Sequence, residues 1–112
     1  MKQCNTIQQR IFTQCVWDNL KEVCEIEYRF CKGRKWRFDY AIPKYKIAIE
    51  QDGGLWTGGR HIRPAGYIKD MEKFNNAAML GWVVLKFSPD ELLKTNTMII
   101  IRNTLNNRKL TQ

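Results

Sequence analysis

The run RFDYAIPKYKIAIEQD, residues 37–52, constrains the chain more than any other segment. Trp36, Phe38 and Tyr40 alternate with Arg37 and Asp39, which predicts a strand with two unlike faces. Pro43-Lys44 supplies a turn, and a second strand runs from residue 45 to Gln51 or Asp52. Strands this close in sequence pair as an antiparallel hairpin. Strand periodicity puts Glu50 and Asp52 on one face and Ile47, Ile49 and Gln51 on the other. Asp39 comes from the partner strand, and a suitable register makes three carboxylates converge on one sheet face.

Like charges at close range repel, so such a cluster is costly unless a proton or a cation neutralises it. Hard oxygen donors suit Mg²⁺, which keeps several waters and bridges to phosphate. Metal-assisted hydrolysis of a phosphodiester uses that arrangement. The alternative is a set of solvated hairpin acids paired with Lys35, Arg37, Lys44 and Lys46.

The remainder of the chain frames this hairpin. A helix is expected over 6–20, where Ile7, Ile11, Phe12, Cys15 and Val16 share a face and Asn5 or Thr6 caps the start. Residues 25–30 alternate as a short strand, and Cys31-Lys32-Gly33-Arg34 reads as a turn. Gly53 to Gly59 form a glycine-rich loop that lacks the GK[ST] of a nucleotide P-loop. A helix over 67–80 carries Tyr67, Met71, Phe74 and Ala78 on one face and Lys69, Glu72, Lys73 and Asn76 on the other, with Gly81 as its stop. Residues 82–87 form a buried strand, and Trp36 and Trp82 are core candidates. Ser88-Pro89-Asp90-Glu91 reads as a capping box that opens a last helix with a basic tail from Arg102 to Lys109. The expected architecture is α/β, one domain over 1–112 with a central mixed sheet flanked by helices.

Composition narrows the partners. Nineteen Lys+Arg against eleven Asp+Glu give a net charge of +8, which excludes an acidic module and favours a polyanion, nucleic acid before membrane. The longest apolar stretch, 77–85, falls well short of the roughly 20 residues of a membrane span. The start, MKQCNTIQQR, lacks the apolar region of a secretory signal, so a cytoplasmic location is expected. Cys4, Cys15, Cys24 and Cys31 contain no CxxC pair for zinc, and free thiols are expected in a reducing compartment.

The ordered set RFDYAIPKYKIAIEQDGGLWTGGRH, YIKDMEKFNNAAMLGW and VVLKF resembles the PD-(D/E)xK nuclease superfamily. More narrowly, it is similar to small phage and bacterial nucleases related to the very-short-patch DNA-repair endonucleases, over roughly residues 25–90. The resemblance implies a restriction-endonuclease-like core and Mg²⁺-dependent DNA cleavage, with Mn²⁺ as a substitute. It implies Asp39 and Glu50 as metal-binding acids, with the Gln51 carbonyl as a further ligand. Asp52 occupies the lysine position of the superfamily's name, where an acid orients water or joins the metal shell. Lys69 or Lys73 then supplies the displaced positive charge. His61 is a general base or a donor to the scissile phosphate. Arg37, Trp56, Arg60, Arg63 and Lys73 are candidate DNA contacts, Trp56 by stacking or wedging. Phe38 replaces the motif's proline. Glu25 and Glu27 precede the hairpin and read as surface acids. Symmetric cutting of both strands calls for a homodimer. The rival readings are a non-catalytic DNA-binding module on the same fold and a Holliday-junction resolvase.

Overall fold

In the computed structural model the first helix, α1, spans Ile7–Leu20. Residues 6–52, 56–57, 60–61 and 64–111 are described, with the backbone alone at 56–57, 60–61 and 64–67. Thr6 is the N-cap of α1: its Oγ1 accepts from the Gln9 N–H at 3.0 Å, and its own N–H donates to Gln9 Oε1 at 2.9 Å. This reciprocal box satisfies two of the donors that a helix start leaves open. Phe12 and Val16 are fully buried, whereas Ile7 and Ile11 of the expected face are exposed. The inward stripe of α1 is therefore narrower than its spacing predicts.

Strand β1 is Glu25–Arg29, β2 is Arg37–Ile42 and β3 is Ile47–Gln51, with a 3₁₀ turn at Pro43–Tyr45 between β2 and β3. Two short strands follow, β4 at Trp56–Thr57 within the expected glycine-rich loop and β5 at Arg60–His61 just after it, paired as a hairpin of their own. Helix α2 spans Pro64–Met79, β6 is Val83–Phe87 and α3 is Thr95–Leu110. The main sheet has the order β1-β2-β3-β6. The first two pairings are antiparallel, and β3–β6 is parallel across the α2 connection. The chain is thus a mixed α/β fold, a four-stranded mixed sheet with helices against it. No helix among the described residues is long and apolar enough to cross a membrane.

Two cores lie on opposite faces of the sheet. On one, Phe12, Tyr40, Ile47, Ile49, Met98, Ile101 and Leu105 pack α1 and α3 against the strands. On the other, Phe38, Ala41, Ala48, Ala77 and Trp82 pack α2. The expected single face of Trp36, Phe38 and Tyr40 does not form. Tyr40 stacks at 4.3 Å on Phe12, whereas Phe38 stacks at 4.0 Å on Phe30, which in turn lies 6.2 Å from Trp36. The same switch occurs in β1, where Ile26 joins the α1 side and Tyr28 the α2 side. Between them Glu27 adopts a left-handed backbone, φ 49°. A left-handed residue breaks strict strand alternation, so the register partners on either side of Glu27 and Asp39 present opposite faces.

Helix α2 is turned relative to its expected face. Ala77 is fully buried and Phe74 half-buried, while Met71 is 46% exposed and Ala78 lies outside. The α2-facing side of the sheet is floored by Ala41 and Ala48, leaving room for the small Ala77 at closest approach. Lys73, expected on the outer stripe, is carried inward.

The last helix begins later than its capping box predicts. Residues 88–94 form successive turns instead, with the Glu91 and Leu92 N–H groups both donating to Ser88 O. Leu92 is fully buried and draws this segment onto the core. The buried Thr97 then donates its hydroxyl to Glu91 O at 2.6 Å, tying the start of α3 to the turn. Thr97→Val keeps the shape but removes that bond, leaving Glu91 O with the Lys94 N–H alone. It should lower stability by about 1 kcal/mol in urea unfolding without a change of m value.

Cys15, Cys24 and Cys31 are free thiols, as expected, and Cys4 lies outside the described residues. Burial pushes the Cys24 thiol up to about 12, so it stays protonated and acts as an apolar packing group.

Candidate active site

Asp39 on β2 and Glu50 on β3 meet at one end of the sheet. That end gathers the start of β2 with the finish of β1, β3 and β6. The β2–β3 register runs Ile42↔Ile47, Ala41↔Ala48 and Tyr40↔Ile49, which sets Asp39 opposite Glu50. Here the backbone ladder stops and the two carboxylates replace it. The Asp39 N–H donates to Glu50 Oε2 at 2.9 Å, and the Gln51 N–H donates to Asp39 Oδ2 at 2.8 Å. Each acid therefore accepts from the backbone of the opposite strand. Their positions are fixed by main chain rather than by flexible side-chain partners, which is the preorganisation that a reacting site requires.

Lys73 completes the group. Its Nζ lies 3.4 Å from Glu50 Oε1, with only 15% and 13% of the two side chains exposed. Its ammonium also lies 5.7 Å from the Phe38 ring and 5.0 Å from the Phe74 ring. The apolar stem of lysine lets it run along aromatic rings while its head reaches a carboxylate. Burial raises the Glu50 carboxyl above its ordinary value, and the negative charge of Asp39 raises it further. Lys73 and the Asp39 N–H oppose that rise without cancelling it. The fold thus disfavours a second full negative charge beside Asp39.

Beside Asp39, on the α1 side, opens a cavity of about 350 Å³, bounded by Asp39, Glu27, Tyr40, Gln51 and the first turn of α1. Among the described residues, no three His, Cys, Asp or Glu side chains form a metal-holding group. The Asp39 and Glu50 carboxylates lie at this end with Glu27 on the rim of the cavity, and the β2–β3 ladder stops before Gln51. Carboxylates and a carbonyl are oxygen donors of the kind that Mg²⁺ takes, with waters and phosphate completing its shell.

The other expected site residues are distributed unevenly. Asp52 follows β3, half-buried, and its N–H donates to Phe87 O at 2.7 Å. Among the described residues Asp39, Glu50 and Asp52 do not form a metal-holding group of three, and only Asp39 and Glu50 are laced to each other's strand. Lys69 is exposed on α2 and forms no ion pair among the described residues, which distinguishes Lys73 as the lysine at the pair. Arg37 is half-exposed and lies 3.8 Å from Glu27. Trp56 pairs with His61, and Thr57 with Arg60, in the β4–β5 register; the side chains of Trp56, Arg60 and His61 lie outside the described residues, as does Arg63 entirely. Glu27, expected on the surface, borders the cavity. Its left-handed backbone, with no glycine or asparagine to announce it, left no signal in the sequence.

No protein-family model, curated protein or solved structure matches the chain.

Proposed function

We propose that this chain is a Mg²⁺-dependent DNA endonuclease of the PD-(D/E)xK type, built on a restriction-endonuclease-like core. The observation that carries the reading is the interlocked Asp39–Glu50 pair with Lys73 against it. The order helix, three antiparallel strands, helix, parallel strand also agrees with that core. Asp39, Glu50 and the Gln51 carbonyl would hold the metal, with Mn²⁺ as a substitute. When bound, the ion polarises a phosphoryl oxygen and lowers the pKa of a bound water.

The chain's own groups do the remaining work. The two N–H donors keep the carboxylates aimed and prevent them from separating under mutual repulsion. Lys73 fixes Glu50 Oε1 and places a positive charge beside the position where phosphate charge develops, the duty that the motif lysine would have from the position of Asp52. Burial of this small charged group strengthens each of these interactions relative to water. Substrate DNA is drawn in by the chain's excess of cations.

The test is incubation of the protein with linear, nicked, mismatched and branched DNAs in Mg²⁺, Mn²⁺ or EDTA. Cleavage of at least one substrate with either metal and none in EDTA is the expected result. Intact DNA across the whole panel overturns the proposal and leaves a binding module.

A further inference from the structure

The cations of this protein divide into two populations. At the end of the sheet away from Asp39, several are engaged with carbonyls or carboxylates of the protein itself. Lys46 Nζ donates to Leu80 O at 2.8 Å, at the end of α2, and Arg102 donates to Asn19 O at 3.1 Å, at the end of α1. Arg108 donates to Tyr45 O at 2.8 Å and to Gly81 O at 2.6 Å, and Lys109 lies 3.6 Å from Glu22. These side chains satisfy carbonyls that helix ends and turns leave open, and the positive charge suits the negative end of a helix. The basic tail of α3 is largely structural.

The β1–β2 turn behaves differently. It connects Arg29 to Arg37 and so overhangs the end of the sheet that carries Asp39, two residues or about 7 Å further along β2. The turn is held in one shape. Arg29 donates to Arg34 O at 3.0 Å, the Arg34 guanidinium sits 4.1 Å from the Trp36 ring centroid, and Arg34 pairs with Glu72 on α2. Gly33 takes φ 83° to close it. On this braced support Lys32 and Lys35 are exposed and form no ion pair among the described residues. Arg37 stands directly opposite Arg29 in the register, a like-charge cross-strand pair that is unfavourable unless an anion lies over it. Glu27, at 3.8 Å from Arg37 and half-exposed, offsets it only weakly.

We propose that the β1–β2 turn is a phosphate-backbone rail, on which Lys32, Lys35 and Arg37 grip a DNA duplex across the Asp39 end of the sheet. The inference rests on the nuclease reading for its choice of DNA, but it concerns binding and not cleavage. Backbone contacts position a duplex without reading its sequence, and a rigid support spares the entropy of ordering them.

The test measures binding of a fluorescein-labelled duplex by anisotropy in EDTA, from low to moderate salt. Each phosphate contact contributes about 0.9 to the slope of log K against log salt. The triple variant Lys32→Ala/Lys35→Ala/Arg37→Ala should lose about 2.7 of that slope, three contacts' worth. The control Lys21→Ala/Lys44→Ala removes two cations that border a separate pocket at the other end of the sheet and should leave the slope as in wild type. An unchanged slope in the triple variant, or an equal loss per charge in the control, overturns the rail. So does loss of binding to phosphatidylserine vesicles in the triple variant with its DNA slope intact. Binding in EDTA separates the two readings: a lost slope in a protein that never cleaves sinks the nuclease and keeps the rail, and cleavage with an unchanged slope does the reverse.

Discussion

Asp39→Asn and Glu50→Gln should each slow metal-dependent DNA cleavage about 10³-fold while leaving duplex affinity in EDTA close to wild type. A metal-centred site supplies several kcal/mol of charge stabilisation, and each 1.4 kcal/mol is a factor of ten in rate. Both substitutions keep the shape and an oxygen able to accept from the Gln51 or Asp39 N–H, so the lacing between β2 and β3 persists and only the negative charge goes. The two variants part on stability. The fold holds the Glu50 carboxyl above the ordinary carboxylate value, so it disfavours the ionised form. That cost is absent below the unfolded value near pH 4.3 and develops as pH rises through the folded value. Glu50→Gln should therefore melt higher than wild type at neutral pH, a gain that disappears on acidification. Wild-type-like cleavage by either variant removes the pair from the chemistry. A lower melting temperature for Glu50→Gln at neutral pH contradicts the charge balance described for the site.

Lys73→Met should destabilise the protein by about 3 kcal/mol at pH 8, the scale expected when one partner of a largely buried ion pair is removed. Methionine fills the channel between Phe38 and Phe74, so the loss reports charge more than volume. The ionised Glu50 is then left beside Asp39 with no ion pair among the described residues, Lys86 being its cross-strand neighbour in the register. Since the penalty belongs to the ionised carboxylate, it should shrink as pH falls through the raised folded value and be nearly absent at pH 4. Adding Glu50→Gln to Lys73→Met should restore most of the stability at pH 8. Denaturant unfolding of the single and double variants at both pH values checks this. A loss independent of pH, or one that the double variant does not relieve, points to packing in place of the ion pair. Lys73 reaches Glu50 from α2, while Asp52 holds the strand position two residues further on.

Much of the fold was legible because it is local. A cap at Asn5 or Thr6 writes a helix start, Gly81 a helix stop, and Pro43 a turn between two alternating runs; the cap falls on Thr6 and the others appear where expected. The acids of the candidate site were legible as well, since two carboxylates in a largely apolar hairpin have no packing reason to be there. Less of their grouping was legible. Alternation placed Glu50 with Asp52, yet the contacts made are with Asp39 and Lys73, because the ladder ends at Tyr40↔Ile49 and the carboxylates take over the backbone donors. The capping-box pattern at Ser88 misled for a related reason. Burial of Leu92 outweighed a cap worth about 1 kcal/mol, and α3 starts at Thr95.

By itself, the sequence determined the main helices and the four strands of the sheet, the basic excess and the presence of acids inside the hairpin. These follow from backbone geometry and residue chemistry over a few neighbours. Tertiary structure decided which side of each element faces inward. Whether Lys73 or Met71 enters the core depends on the alanine floor of the sheet, and whether Tyr40 joins Phe38 depends on one left-handed residue in the neighbouring strand. It also divided the cations, setting those of α3 on helix-end carbonyls and leaving those of the β1–β2 turn to solvent beside Asp39. Periodicity fixes the spacing of a face but not its orientation, because orientation is set by volumes and charges that arrive from elsewhere in the chain.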